Sequence, residues 1–333
     1  MKLVCKKSDL ITGINIVMKA VSSKTTMSIL ECILIDATEG VIKFTANDME
    51  LGIETKVEGE IIEAGSIAID AKIFSEIVRK LPDNDVVIEV NDETKANITC
   101  ENSKFNILVK SADDFSYLPE IEKKDKITLS QFALKELIRQ TIFTVNDADK
   151  NKILTGELFE VMGNKLKVVA LDKFRIAIRN MELKEDYGNF KVLVPGKSLN
   201  EISKILNGDV DDEVNIYFTS NHILFEFDET KVVSIYDVRV DSNLKIKEFR
   251  EMTEEWLDFI VDCRSGKSHD YDIVIGVMTD DQIYNFVSDY IDGAITREQF
   301  WVLAKFKYPT HQIVFCTENS LKCLEYRDCE VLS

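Results

Sequence analysis

The chain has 333 residues, 45% hydrophobic and 30% charged, with 59 acidic against 41 basic side chains and a formal charge of -18. This is a globular composition, which excludes disordered, collagen-like and low-complexity classes, and no apolar run approaches the ~18 residues of a membrane-spanning helix. The surplus of acids argues at first against a nucleic-acid partner.

In chain order, residues 8–20 predict a helix, with Leu10, Ile11, Ile14 and Met18 on one face at helical spacing. The turn DATEG then leads into VIKFTA, which alternates as a half-buried strand. A second helix over 71–81 points Phe74, Ile77, Val78 and Leu81 inward, and Pro82 stops it. VVIEV and FNILV follow as strands. The same order then recurs. A helix over 131–142 turns Leu134, Leu137 and Ile138 inward, and the turn MGNK precedes the strand KLKVV. Pro195 and Gly196 open a helix over 196–206 with Leu199, Ile202 and Leu206 inward, and VNIYF is again a strand.

The recurrence is an internal repeat. Displaced by 124 residues, Leu10 falls on Leu134, Ile14 on Ile138, the pair Ile29-Leu30 on Ile153-Leu154, and Asp48 on Asp172. With one more residue, Ile67 meets Val192, Ile69 meets Val194, Phe74 meets Leu199, Ile77 meets Ile202 and Leu81 meets Leu206. Helices packed on one face of antiparallel sheets make the expected class α+β.

The four helical stretches carry eight bases: Lys19, Lys72, Arg79, Lys80, Lys135, Arg139, Lys197 and Lys204. They carry four acids: Asp9, Glu76, Glu136 and Glu201. The helices are therefore at +4 and the remainder of the chain at -22. Two readings stand: an ordinary solvated helix face, or a basic lining inside an acidic shell. The second would bind phosphates without reading sequence.

The runs AVSSKTTMSILECILIDA, FTANDMELGIE, AKIFSEIVRKLP, FSYLPE, IRQTIFTV, ILTGELFEV and VPGKSLNEISKIL resemble the bacterial DNA polymerase III beta sliding clamp over about residues 1–233. The resemblance implies two repeated domains, 1–124 and 125–233, each with two helices backed by antiparallel sheets. It implies a non-catalytic processivity factor of DNA replication that binds duplex DNA through basic inner helices. Lys24, Lys72 and Arg79 fall on basic positions of that family, and Lys80, Lys135, Arg139, Lys197 and Lys204 extend the candidate DNA surface. The family also docks short peptides of polymerases, clamp loaders and repair proteins. The implied pocket residues here are Leu154, Leu171, Lys173, Phe174, Arg175 and Ile176. Lys173 departs from the family's small residue and is expected to narrow the groove. For Leu154 and Ile176, plain core placement is the competing reading.

Residues 234–333 do not continue the repeat. Both tryptophans, Trp256 and Trp301, and four of the seven cysteines lie there. TEEWLDFIVDCRSG reads as a helix capped by Thr253, and DYDIVIGVM as a buried strand. EEWLDFIVDCR, HDYDIVIG and HQIVFCTENSLKCLEY resemble the C-terminal half of an uncharacterised family with an ADP-ribosyltransferase-like fold. That resemblance points to Gln312 as an NAD-contacting position, but nothing in 1–233 resembles the first half of such a site. The competing roles for the tail are NAD-dependent ADP-ribosyl transfer, a vestige and an interaction module.

No cofactor or metal is expected. The cysteines are odd in number with no C-x-x-C pair, and His222, His269 and His311 are far apart in sequence. RSGKSHD lacks the upstream glycine of a phosphate-binding loop. MKLVCKKSDL has no signal-like apolar core, so a cytoplasmic protein is expected. A tail in place of a third clamp domain implies either impaired ring closure or a ring of three two-domain chains.

Overall fold

The computed structural model describes residues 1–235, apart from 23–24, 93, 124, 148–151, 173–175 and 220. The tail and every expectation placed on it, including Gln312, therefore lie outside the described residues.

The first repeat runs β1 (Lys2–Lys6), α1 (Lys7–Val17), β2 (Cys32–Asp36), β3 (Ile42–Asn47), β4 (Leu51–Val57), β5 (Glu60–Glu63) and β6 (Ser66–Asp70). It continues with α2 (Ala71–Lys80), β7 (Asp85–Asp92), β8 (Lys95–Cys100) and β9 (Ser103–Lys110). The second runs β10 (Asp125–Ser130), α3 (Gln131–Thr141), β11 (Gly156–Met162), β12 (Lys165–Leu171), β13 (Ile176–Glu182) and β14 (Asn189–Pro195). It ends with α4 (Gly196–Ile205), β15 (Glu213–Phe218), β16 (His222–Phe227) and β17 (Thr230–Ile235). Strand for strand the series match, save that the short β5 has no counterpart in the second.

Strand registers reproduce the offset read from the sequence. Leu34 faces Thr45 as Leu158 faces Val169, and Ala46 faces Ile53 as Ala170 faces Ala177, each rung displaced by 124 residues. Ile33 faces Ile69 as Glu157 faces Val194, where the second strand is displaced by 125. The sheet order β4-β3-β2-β6 recurs as β13-β12-β11-β14.

Helix starts follow from local chemistry. Asp70 caps α2 by accepting the Ile73 amide at 2.8 Å, and Ser130 caps α3 by accepting that of Ala133 at 3.2 Å. Leu10, Ile14, Phe74, Val78, Leu134, Leu137, Ile138, Leu199 and Ile202 are buried, as the helical periodicity requires. Ile11, Met18 and Ile77 are only half-buried, and Gly13 and Val17 complete the inner face of α1 instead. Phe74 of α2 meets Phe44 of β3 edge-on, with centroids 6.1 Å apart.

The chain forms two compact units, one of Met1–Ile127 with the described part of Asp212–Tyr236, the other built on Thr128–Asp211. In the first unit β17 pairs antiparallel with β4. Lys231 reaches Glu54 at 3.0 Å, Lys56 pairs with Glu229, and the buried hydroxyls of Thr55 and Thr230 meet at 2.8 Å. The segment 112–123 is laid over these strands. Phe115 packs with Cys32, Leu34, Ala68 and Ala112, while Leu118 and Ile121 pack on Tyr217, Leu224 and Val233. Lys123 bonds both carboxylate oxygens of Glu226 and lies over the Tyr217 ring. Gly52 lies beneath Leu118: a Cβ there would stand 2.0 Å from Leu118 Cδ2 and force that side chain to shift.

Candidate nucleic-acid interface

The basic residues are carried by two helix pairs, α1 with α2 in the first unit and α3 with α4 in the second, whose apolar faces are buried on the sheets. In the first pair, Lys72, Arg79 and Lys80 are exposed on α2, and Lys19 is exposed just beyond α1. Arg79 Nη2 donates to Asn15 Oδ1 of α1 at 3.0 Å, which ties the outer faces of the two helices together. Asn15 is a contributor that charge counting does not reveal, because it is neutral.

The second pair differs. Lys135 is half-buried, and its ammonium donates to the Leu206 carbonyl at 2.7 Å. There it satisfies an orphan carbonyl at the end of α4 and sits at the negative end of the helix dipole. Lys7 does the same for α2 in the first unit, donating to the Leu81 carbonyl at 2.6 Å. Arg139 forks onto Glu136 at 2.9 and 2.7 Å, and Lys204 pairs with Glu201 at 2.6 Å. Both partners are one turn away on the same helix, and exposed pairs of this kind contribute only about 0.2–1 kcal/mol. Lys197 is exposed at the start of α4; burial pushes the Asp147 carboxyl up, and the Lys197 charge opposes that rise only in part. Lys24 lies outside the described residues.

Of the candidate peptide pocket, Leu154, Leu171 and Ile176 are all buried to within 1%. In the described part they line the interior of the second unit and present no open apolar surface. Lys173, Phe174 and Arg175 lie outside the described residues.

Among the described residues no group of three or more His, Cys, Asp or Glu is placed to hold a metal ion. Cys5, Cys32 and Cys100 are free and buried, and burial pushes the Cys5 thiol up to about 12, far from a reactive thiolate. No described helix is long and apolar enough to cross a membrane.

Residues 1–119 match the model of the DNA polymerase III beta subunit N-terminal domain, and residues 128–236 that of its central domain. Residues 216–326 match a family described only as a protein of unknown function, DUF3990. The chain is 35% identical over 242 residues to the beta sliding clamp of Staphylococcus epidermidis, covering 70% of this chain and 64% of that protein. Among solved structures it resembles an assigned DNA polymerase III beta subunit from Eubacterium rectale, with 62% identity and a TM-score of 0.69 over 71% of this chain and 64% of that one. The sliding clamp of Bacillus subtilis superposes with a TM-score of 0.68 and 36% identity, over 71% of this chain and 65% of that one. The chain thus spans about 64% of the length of the curated relatives it matches. Through residues 1–236, which carry the N-terminal and central domains in order, the chain belongs to the DNA polymerase III beta subunit family.

Proposed function

We propose that the protein is a sliding-clamp-like processivity factor of DNA replication that holds duplex DNA by phosphate contacts without reading sequence. The observation that carries this reading is the exposed basic face of α2, Lys72, Arg79 and Lys80, within a chain of net charge -18. A cationic strip in an otherwise acidic protein attracts the duplex locally while repelling it elsewhere. Arg139, Lys197 and Lys204 are the corresponding candidates of the second unit, and Lys24 is a further candidate of the first. The protein is non-catalytic in this reading, needs no cofactor and works in the cytoplasm.

Polymerase, clamp-loader and repair proteins would dock short peptides at a pocket to which the sequence resemblance assigns Leu154, Leu171, Lys173, Phe174, Arg175 and Ile176. Ring closure is impaired, because the stretch after the second repeat matches a different family where a third repeat would begin. A second reading rests on the same observation: the tail is an interaction module that changes which partners the clamp domains meet. We place the domain limits at 1–124, 125–233 and 234–333.

Duplex binding across a salt series, by the full chain and by a chain lacking 236–333, tests the proposal. Sequence-independent binding that weakens steeply with salt supports it, and absence of duplex binding at low salt overturns it. Sedimentation of the full chain checks ring closure: a monomer supports impairment, and a stable trimer contradicts it.

A further inference from the structure

Glu157 of β11 is fully buried, and the clamp reading makes no use of it. Its Oε2 lies 2.9 Å from the hydroxyl of Thr141 on α3, while its Oε1 has no hydrogen-bond partner. The Thr141 hydroxyl has a single hydrogen and stands 2.8 Å from the Leu137 carbonyl one turn back. Thr141 Oγ1 is thus placed to donate to Oε2, to the Leu137 carbonyl and, at 3.4 Å, to the Ile138 carbonyl, and its one hydrogen cannot serve all three. An ionised carboxylate here would have at best this shared hydrogen on Oε2 and nothing on the buried Oε1, whereas the neutral acid avoids burying an unsolvated charge.

The internal repeat supplies an independent observation. Glu157 occupies the rung of Ile33, and Thr141 stands where Val17 stands on α1. Val17 and Ile33 are both fully buried, so one copy of the same architecture closes this position with two apolar side chains. The fold does not need a carboxyl there. We propose that Glu157 is held as the neutral acid and that its neutral contact with Thr141 latches the end of α3 to β11, so that losing the proton leaves an unsolvated charge there and loosens this end of the second unit. The latch extends one turn further, because Thr144 Oγ1 donates to the Thr141 carbonyl at 2.9 Å.

The surroundings are apolar or neutral. β14 places Val194 directly opposite Glu157, β12 places Ala170 at the adjacent rung, and Gln140 beside Thr141 is neutral. The ionisable groups on the packed elements are Lys135, Glu136 and Arg139 of α3, Lys197, Glu201 and Lys204 of α4, and Asp147 and Asp172 in the flanking turns. Glu160, Lys165, Lys167 and Lys191 project from the other face of the strands by alternation. The carboxyl responds to burial, which pushes it up to about 8, and to the Thr141 hydroxyl, which opposes that rise. A folded value above the unfolded 4.5 means that the folded state keeps a proton the unfolded chain has lost. Stability from this group therefore falls as pH rises from about 4.5 to about 8 and is level above that.

Carbon-13 NMR of the Glu157 carboxyl in the full chain tests the latch directly. A protonated signal at pH 6 that titrates in the mildly alkaline range supports it, and an ionised carboxyl at pH 6 overturns it. Denaturant unfolding between pH 5 and 9 gives the second readout. Wild type should lose up to about tenfold in its folding constant per pH unit from this group. Glu157→Gln, or Thr141→Val with Glu157→Ile to copy the first repeat, should remove that slope. Profiles parallel to wild type in either variant would overturn the proposal.

Discussion

The ammonium of Lys135 donates to the carbonyl of Leu206 at 2.7 Å, and this one contact gives it a structural role that the other candidate DNA-binding bases of the helices do not share. Lys135→Met should lower the stability of the second unit by about 1–2 kcal/mol, through loss of a charge-assisted bond at a helix C-terminus. Its duplex affinity should stay within about twofold of wild type. Chemical denaturation and DNA titration together check this.

Lys72, Arg79 and Lys80 are exposed on one helix, and none of them is buried in holding the fold. Replacing all three with alanine should make the plot of log affinity against log salt shallower by up to about 3, at ~0.9 per lost phosphate contact. The loss should be the same for unrelated DNA sequences. A variant with unchanged slope would remove these residues from the interface.

Thr55 and Thr230 join β4 to β17 through a buried hydroxyl pair. Either single change to valine leaves one hydroxyl without its partner and should cost about 1–3 kcal/mol. The double change removes both polar groups and should be nearly neutral. A double-mutant cycle in denaturant measures the coupling.

Gly52→Val should destabilise the first unit by about 1–3 kcal/mol, because the new side chain overlaps Leu118. Leu118→Ala in the same chain should recover part of that loss, which thermal unfolding of the single and double variants would reveal.

Much of the fold is legible in the sequence, since helix faces and strand alternation are local patterns. The displacement between copies survives in the strand rungs down to the one extra residue, as the Ile69 and Val194 positions show. The pairing of β17 with β4 was not legible, because residues 231 and 54 are joined only through the folded chain. Charge counting places Lys135 among the candidate DNA contacts by the position of its backbone, and cannot show that its long stem carries the ammonium to the Leu206 carbonyl. In GELFEV, Glu157 occupies a polar position of an alternating run. β11 is buried on both faces, so the alternation carried no such meaning. The repeat comparison could have flagged it, since Ile33 is its apolar counterpart.

Retention on closed-circular against linearised duplex DNA, followed across a salt series, tests the central claim most directly. An electrostatic clamp with impaired ring closure should dissociate from both forms over the same salt range, steeply and without sequence preference. Salt-resistant retention on the circle that is lost on linearisation would contradict impaired closure, and failure to bind either form at low salt would contradict the DNA-holding role itself.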